Sequence, residues 1–169
     1  MSRPAPTGYS LTQIALHWLV FALVLFQLVF GESIGAAYRA FRKGETVTGL
    51  DQVMAQAHVI IGISIGVLII WRLALRFTRG VPEYPADAKP AGKILAMVVH
   101  IALYVALLAA PVTGAMAWFG NIAEAGDIHE ISKPIIIISL VIHVAGALVQ
   151  KFVYKNNEVV QRMVKPQAS

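Results

Sequence analysis

The sequence predicts an all-α transmembrane four-helix bundle with both termini on the cytoplasmic side. Three observations lead there: an apolar composition, four long runs without charge, and an uneven split of Lys and Arg between the loops. Of 169 residues, 57% are hydrophobic and only 14% are charged, against about 45–50% and about 25% in a soluble domain. This excludes an ordinary cytosolic enzyme, a disordered chain and a nucleic-acid-binding module. The net charge of +5 on so apolar a chain reads as membrane flanks rather than a nucleic-acid footprint. No repeat or second composition divides the chain, so residues 1–169 are expected to form one membrane domain.

The elements follow in order. Between Arg3 and Glu32 there is no charge, and Leu11–Phe30 is a clean 20-residue run. It exceeds the 7–15 apolar residues of a signal-peptide core, so it is expected to remain as a span. Gln52–Trp71 lies between Asp51 and Arg72, and Ile94–Ala123 is free of charge. Pro134–Gln150 is 17 residues long, short beside the roughly 20 that span a bilayer. An earlier start near Asp127 repairs this, with Pro134 inside the helix, where membrane proteins tolerate it. Helices are therefore expected over about 10–31, 52–75, 93–118 and 127–154. The Val81–Pro90 connector is Pro-rich and non-helical.

Orientation follows the positive-inside rule. Arg3, the 72–93 loop and the tail beyond Gln150 carry ten Lys and Arg residues, while Arg39, Arg42, Lys43 and Lys133 are the four on the other side. The outer loops also hold six Asp and Glu residues, which leaves the outer face slightly acidic.

There are five histidines and no cysteine. Missing thiols exclude disulfides, iron–sulfur ligation, thiol catalysis and covalent c-type haem, which leaves imidazoles as the strong nitrogen ligands. At 1.5 Å per residue, His17 and His143 lie in the inner half of the membrane and His58 in the outer third. His129 belongs at the outer mouth and His100 in the inner third. His129 and His143 are 14 residues apart, about 21 Å along one helix and within about 40° on its face. Two bis-histidine sites at two depths describe two b-type haems and an electron path across the bilayer. Gly62 and Gly66 after His58, and Ala145, Gly146 and Ala147 after His143, clear space for a flat macrocycle, although small residues also serve helix packing. A zinc site would need one compact cluster, which the helix 4 spacing forbids, and the spans hold no carboxylate for a proton relay. The preferred pairs are His17 with His143 and His58 with His129. His100 either replaces an inner ligand or hydrogen-bonds a quinone or haem propionate. Arg72, about 21 Å from His58 along its helix, is level with the inner pair and suits a propionate.

These residues resemble the prokaryotic cytochrome b561 family of four-helix membrane dihaem cytochromes. The likeness runs from about Tyr9 to Lys165. It rests on His17-Trp18, His58-x-x-x-Gly62 with Arg72 and Arg76, His100-x-x-x-Tyr104 with Pro111 and Gly114, His129-Glu130 with His143, and the Tyr154-to-Met163 tail. The resemblance implies two haem b groups, with His58 and His129 on the periplasmic iron and His17 and His143 on the cytoplasmic one. It implies a bacterial inner-membrane location and ubiquinone as electron partner. One branch of the family oxidises superoxide and would make the chain an oxidoreductase; other members relay electrons for a partner dehydrogenase. The acidic outer sum gives no general steering of an anion, so superoxide would need a local patch at Arg39, Arg42 and Lys43.

Overall fold

The computed structural model describes residues 5–31, 33–47, 49–85 and 88–166; Arg3, Glu32 and Asp87, which enter the charge reading, lie outside them. The described residues form helices and no strand: α1 Leu11–Phe30, α2 Ser33–Arg42, α3 Leu50–Arg79, α4 Pro90–Gly120, α5 Ala123–Phe152 and α6 Glu158–Gln161. Helices α1, α3, α4 and α5 are long and apolar enough to cross a membrane.

Local chemistry sets several ends. Ser10 and Gln13 form a capping box at the start of α1: the Gln13 amide donates to Ser10 Oγ at 3.3 Å and the Ser10 amide to Gln13 Oε1 at 3.0 Å. That satisfies amides left free by the first turn. Helix α3 stops at Gly80, whose φ of +79° favours glycine. The Gly80 carbonyl accepts from Gln13 Nε2 at 3.2 Å, which pins the start of α1 to the end of α3. Pro90 opens α4, where its missing N–H costs nothing. Asn121 closes it in the left-handed region at φ 52°.

The three longer spans run 30, 31 and 30 residues, about 45 Å at 1.5 Å per residue, so their ends project beyond a hydrocarbon core of about 30 Å. The sequence-based bounds were cut at or near charges. The helices pass through them, because charged groups in the interfacial zone are hydrated while the backbone ladder continues. Thus α3 runs on to Arg79 rather than 75, and α5 begins at Ala123 rather than 127 with Pro134 inside it. Helix α2 was not anticipated. It is a short polar-flanked segment whose last turn carries Arg39 and Arg42, cations favoured at a helix C-terminus.

The interior is small. Val20 and Val24 of α1, Ile65 and Ile69 of α3, Ala106 and Leu107 of α4 and Ile136 of α5 form one buried cluster. Many large apolar side chains face outward instead, Ile60, Val67 and Val141 among them, each at least 60% exposed. Helices apolar all round are suited to lipid. Within the bundle α3 meets α4 closely: a Cβ added to Gly66 would lie 3.2 Å from Pro111 Cβ. Overpacking of that kind costs about 1–3 kcal/mol. Gly66→Leu is therefore expected to lower the thermal midpoint of the detergent-solubilised protein, read by loss of helical circular dichroism.

Candidate functional site

The five histidines collect at two ends of the bundle. At one end the rings of His58 on α3 and His129 on α5 lie 5.9 Å apart, centroid to centroid, at 76°. At the other, His17 on α1 and His143 on α5 lie 6.1 Å apart at 55°. His100 on α4 joins this second group, 5.0 Å from the His143 ring at 83°. Two imidazoles holding one iron from opposite sides, with metal–nitrogen bonds of about 2 Å, place their ring centroids about 6 Å apart. The His58–His129 and His17–His143 separations suit that arrangement. The His100–His143 separation is about an ångström too short for it.

Around His58 and His129 lies a cavity of about 470 Å³, lined by Gln27, Tyr38, Ile65, Leu107, Trp118 and Ile136 among others. That is the size of a cofactor pocket. Its shape depends on glycine: a Cβ on Gly114 would stand 3.0 Å from both Cε1 and Nδ1 of His129, so the ring lies close against α4 where there is no side chain. The Nδ1–H of His129 donates to the Ala110 carbonyl at 2.8 Å. A carbonyl only accepts, so Nε2 carries the lone pair and is the atom available to a metal. His58 has no such brace: its Nδ1 is buried without a hydrogen-bond partner. Its backbone carbonyl does accept from Gln27 Nε2 at 2.8 Å, which fastens α1 to α3 at this level. Tyr38 of α2 stacks on Trp118 with centroids 6.2 Å apart at 28°, and both rings line the cavity.

At the His17 end, the Nδ1–H of His100 donates to the Ala96 carbonyl one turn back at 2.6 Å. Arg72 Nη1 donates to the Gln13 carbonyl at 3.2 Å, one turn before His17, and its charge acts on His17, His100 and His143. Tyr9 lies in the same neighbourhood, and burial holds its phenol above its ordinary pKa of 10.0 although Arg76 and Arg72 pull the other way. The tail closes over this end: Trp18 Nε1 donates to the Met163 carbonyl at 2.7 Å, and Arg162 Nη1 to the Glu83 carbonyl at 2.6 Å.

The structure therefore brings together all four imidazoles expected as ligands, with Arg72 and His100 beside the second pair. Sequence reasoning missed Gln27, Tyr38 and Tyr9 as site residues, and saw Gly114 only as part of a resemblance. Gln27 had a signal, since it is a lone amide late in an apolar run. The others become visible only when helices are placed side by side. The donor chemistry suits haem: facing imidazoles, apolar walls, a glycine where the ring must approach backbone, and a free Nε2 on His129. Among the described residues no group of three or more His, Cys, Asp or Glu side chains could hold a metal ion. A haem iron asks less, because two axial ligands suffice.

Comparison with known proteins agrees with this chemistry. The model of the family described as prokaryotic cytochrome b561 matches residues 8–166. A cytochrome b562 of Cereibacter sphaeroides is 34% identical over 159 residues, spanning 94% of this chain and 96% of that one. Four apolar spans, imidazoles facing across helices, and a family match over nearly the whole chain make this a b-type membrane electron-transfer cytochrome, and the chain belongs to the prokaryotic cytochrome b561 family.

Proposed function

We propose that the protein carries two haem b groups and passes electrons from a periplasmic one-electron donor to membrane quinone. In this reading His58 and His129 hold the outer iron, and His17 and His143 the inner one, with both termini in the bacterial cytoplasm. The observation that carries it is the pair of ring separations, 5.9 and 6.1 Å, at two depths of one bundle. When bound, haem supplies reversible one-electron storage at each level, with potentials tuned by axial ligands and burial.

The chain's own residues do the rest. Helix α5 carries both His129 and His143, about 21 Å apart along its axis, which sets the spacing of the two stations. Leu28, Ile65, Leu107 and Ile136 give the cavity around the outer pair a largely apolar lining, with Glu130 and Lys133 also on it. At the inner end Arg72 is anchored by the Gln13 carbonyl and keeps further donors for a propionate or a quinone oxygen. His100 sits next to His143 with its own Nδ1 already engaged by Ala96, so its Nε2 is the atom offered to a quinone or propionate. Ten Lys and Arg residues on this side support its assignment to the cytoplasm.

Superoxide is the sharpest candidate donor, through the local patch of Arg39, Arg42 and Lys43. The acidic excess of the outer loops favours a second reading, a relay subunit that takes electrons from a docked dehydrogenase. Purified protein separates the two. A superoxide pulse is expected to reduce haem within the mixing time of a stopped-flow instrument, and ubiquinone to reoxidise it. Haem that stays oxidised until a partner dehydrogenase is added would establish the relay instead. Haem content is expected to be two per chain by pyridine haemochromogen assay.

A further inference from the structure

Among the described residues, two buried side-chain atoms lack a hydrogen-bond partner, Nδ1 of His58 and the hydroxyl of Tyr38. Both residues line the outer cavity. Buried polar groups are almost always paired, so an orphan in a cavity wall points to a partner supplied by a bound group. His58 has a role in the axial pair; Tyr38 has none so far. Packing explains how its phenol arrives there. Ala37 of α2 is 1% exposed and Ala55 of α3 is 3% exposed, small residues of the two helices that pack on each other. One residue on from Ala37, the Tyr38 ring stacks on Trp118 of α4. Its hydroxyl reaches Gly126 of α5, where an added Cβ would stand 3.2 Å from the oxygen. The O–H therefore stands against the helix that carries His129, at a point with no side chain to cover it.

Other polar groups of the lining are engaged or at the rim. Gln27 Nε2 donates to the His58 carbonyl at 2.8 Å, and the Ser132 hydroxyl to the Ile128 carbonyl at 3.3 Å. Glu130 and Lys133 line the cavity from exposed positions, and their opposite charges leave the rim without a net sign. A carboxylate entering the cavity gains no net attraction there, and the Tyr38 O–H is the donor it meets below. We propose that the Tyr38 hydroxyl hydrogen-bonds a carboxylate of the outer cofactor, a haem propionate, and raises the potential of that haem. This rests on the outer pairing proposed above. The sign follows from charge. Ferric haem carries one more positive charge than ferrous haem, so a bare carboxylate beside it favours the ferric state. A donor that draws off part of that negative charge favours the ferrous state, an outer-shell effect on the iron.

The test compares purified wild-type holoprotein with Tyr38→Phe, by potentiometric titration of haem absorbance and by resonance Raman spectroscopy. Phenylalanine keeps the ring and its stack on Trp118 and removes one oxygen. Tyr38→Phe is expected to keep both haems and to lower the midpoint potential of one. The propionate bending band of that haem is expected to shift, with the other haem unchanged. The affected haem is expected to be the one that His129→Ala loses. Loss of that haem from Tyr38→Phe, with the inner haem's spectrum intact as a report of folding, supports the same bond. An outer haem whose potential and propionate band both stay as in the wild type overturns the proposal. A shift in potential without one in the propionate band, or a shift confined to the inner haem, overturns it as well. Retention of both haems by His129→Ala would instead overturn the outer pairing, whatever Tyr38→Phe does.

Discussion

Replacing His143 by Ala is expected to halve the haem content, leaving about one haem per chain, while His100→Ala keeps both. The two imidazoles are neighbours, and sequence position alone leaves either as the partner of His17. A fitting ring separation is observed for His17 with His143. The His17 and His143 rings stand 6.1 Å apart, the separation that an iron between two imidazoles requires at bond lengths of about 2 Å. His100 stands 5.0 Å from His143, too close for those two to share an iron from opposite sides, so the two variants decide which of them partners His17. Pyridine haemochromogen per chain and the low-spin ferric signal read the outcome. Loss of a haem from His100→Ala with retention in His143→Ala would reverse the assignment.

The second large effect concerns a residue with no side chain. Gly114→Leu is expected to abolish the outer haem's absorbance and leave the inner haem intact. A Cβ alone would stand 3.0 Å from two atoms of the His129 ring, tight enough that the ring must give way. The ring cannot simply retreat, because its Nδ1–H is tied across to Ala110 of α4, one turn before Gly114. Adding a branched side chain there displaces His129 from the cavity and breaks its brace. Gly114→Ala asks for a shift of only a few tenths of an ångström and is expected to weaken haem retention rather than remove it. Haem-to-protein ratio during size-exclusion chromatography in detergent distinguishes the two variants. An unchanged outer haem in Gly114→Leu would mean that His129 does not bind from the position described.

Much of the architecture was legible because hydropathy and charge act along the chain. Four runs without charge located four spans, and the place of each histidine along its run separated the two ends at which they collect. The edges themselves were misplaced by a few residues, since a helix does not stop where its first charge appears; Glu124 sits in the first turn of α5 and Lys151 in its last. Helix α2 escaped notice because ten residues containing two arginines present no long apolar run. Gln27 is a related case: a lone amide announces itself in an apolar segment, but its partner, the His58 carbonyl, lies on another helix. Nothing in the order of residues says that Gly114 faces His129, 15 positions later.

The sequence by itself determined the fold class, the number of spans, the supply of imidazoles and their places along the helices, because each depends on a residue's place along one axis. Tertiary structure decided which imidazoles face one another, that His100 stands too close to His143 to share its iron, and that His129 finds a carbonyl where His58 finds none. Those depend on the rotation of each helix about its axis and on its lateral neighbours. Such quantities arise from the packing of several helices at once, where a single missing Cβ sets how near a ring can come.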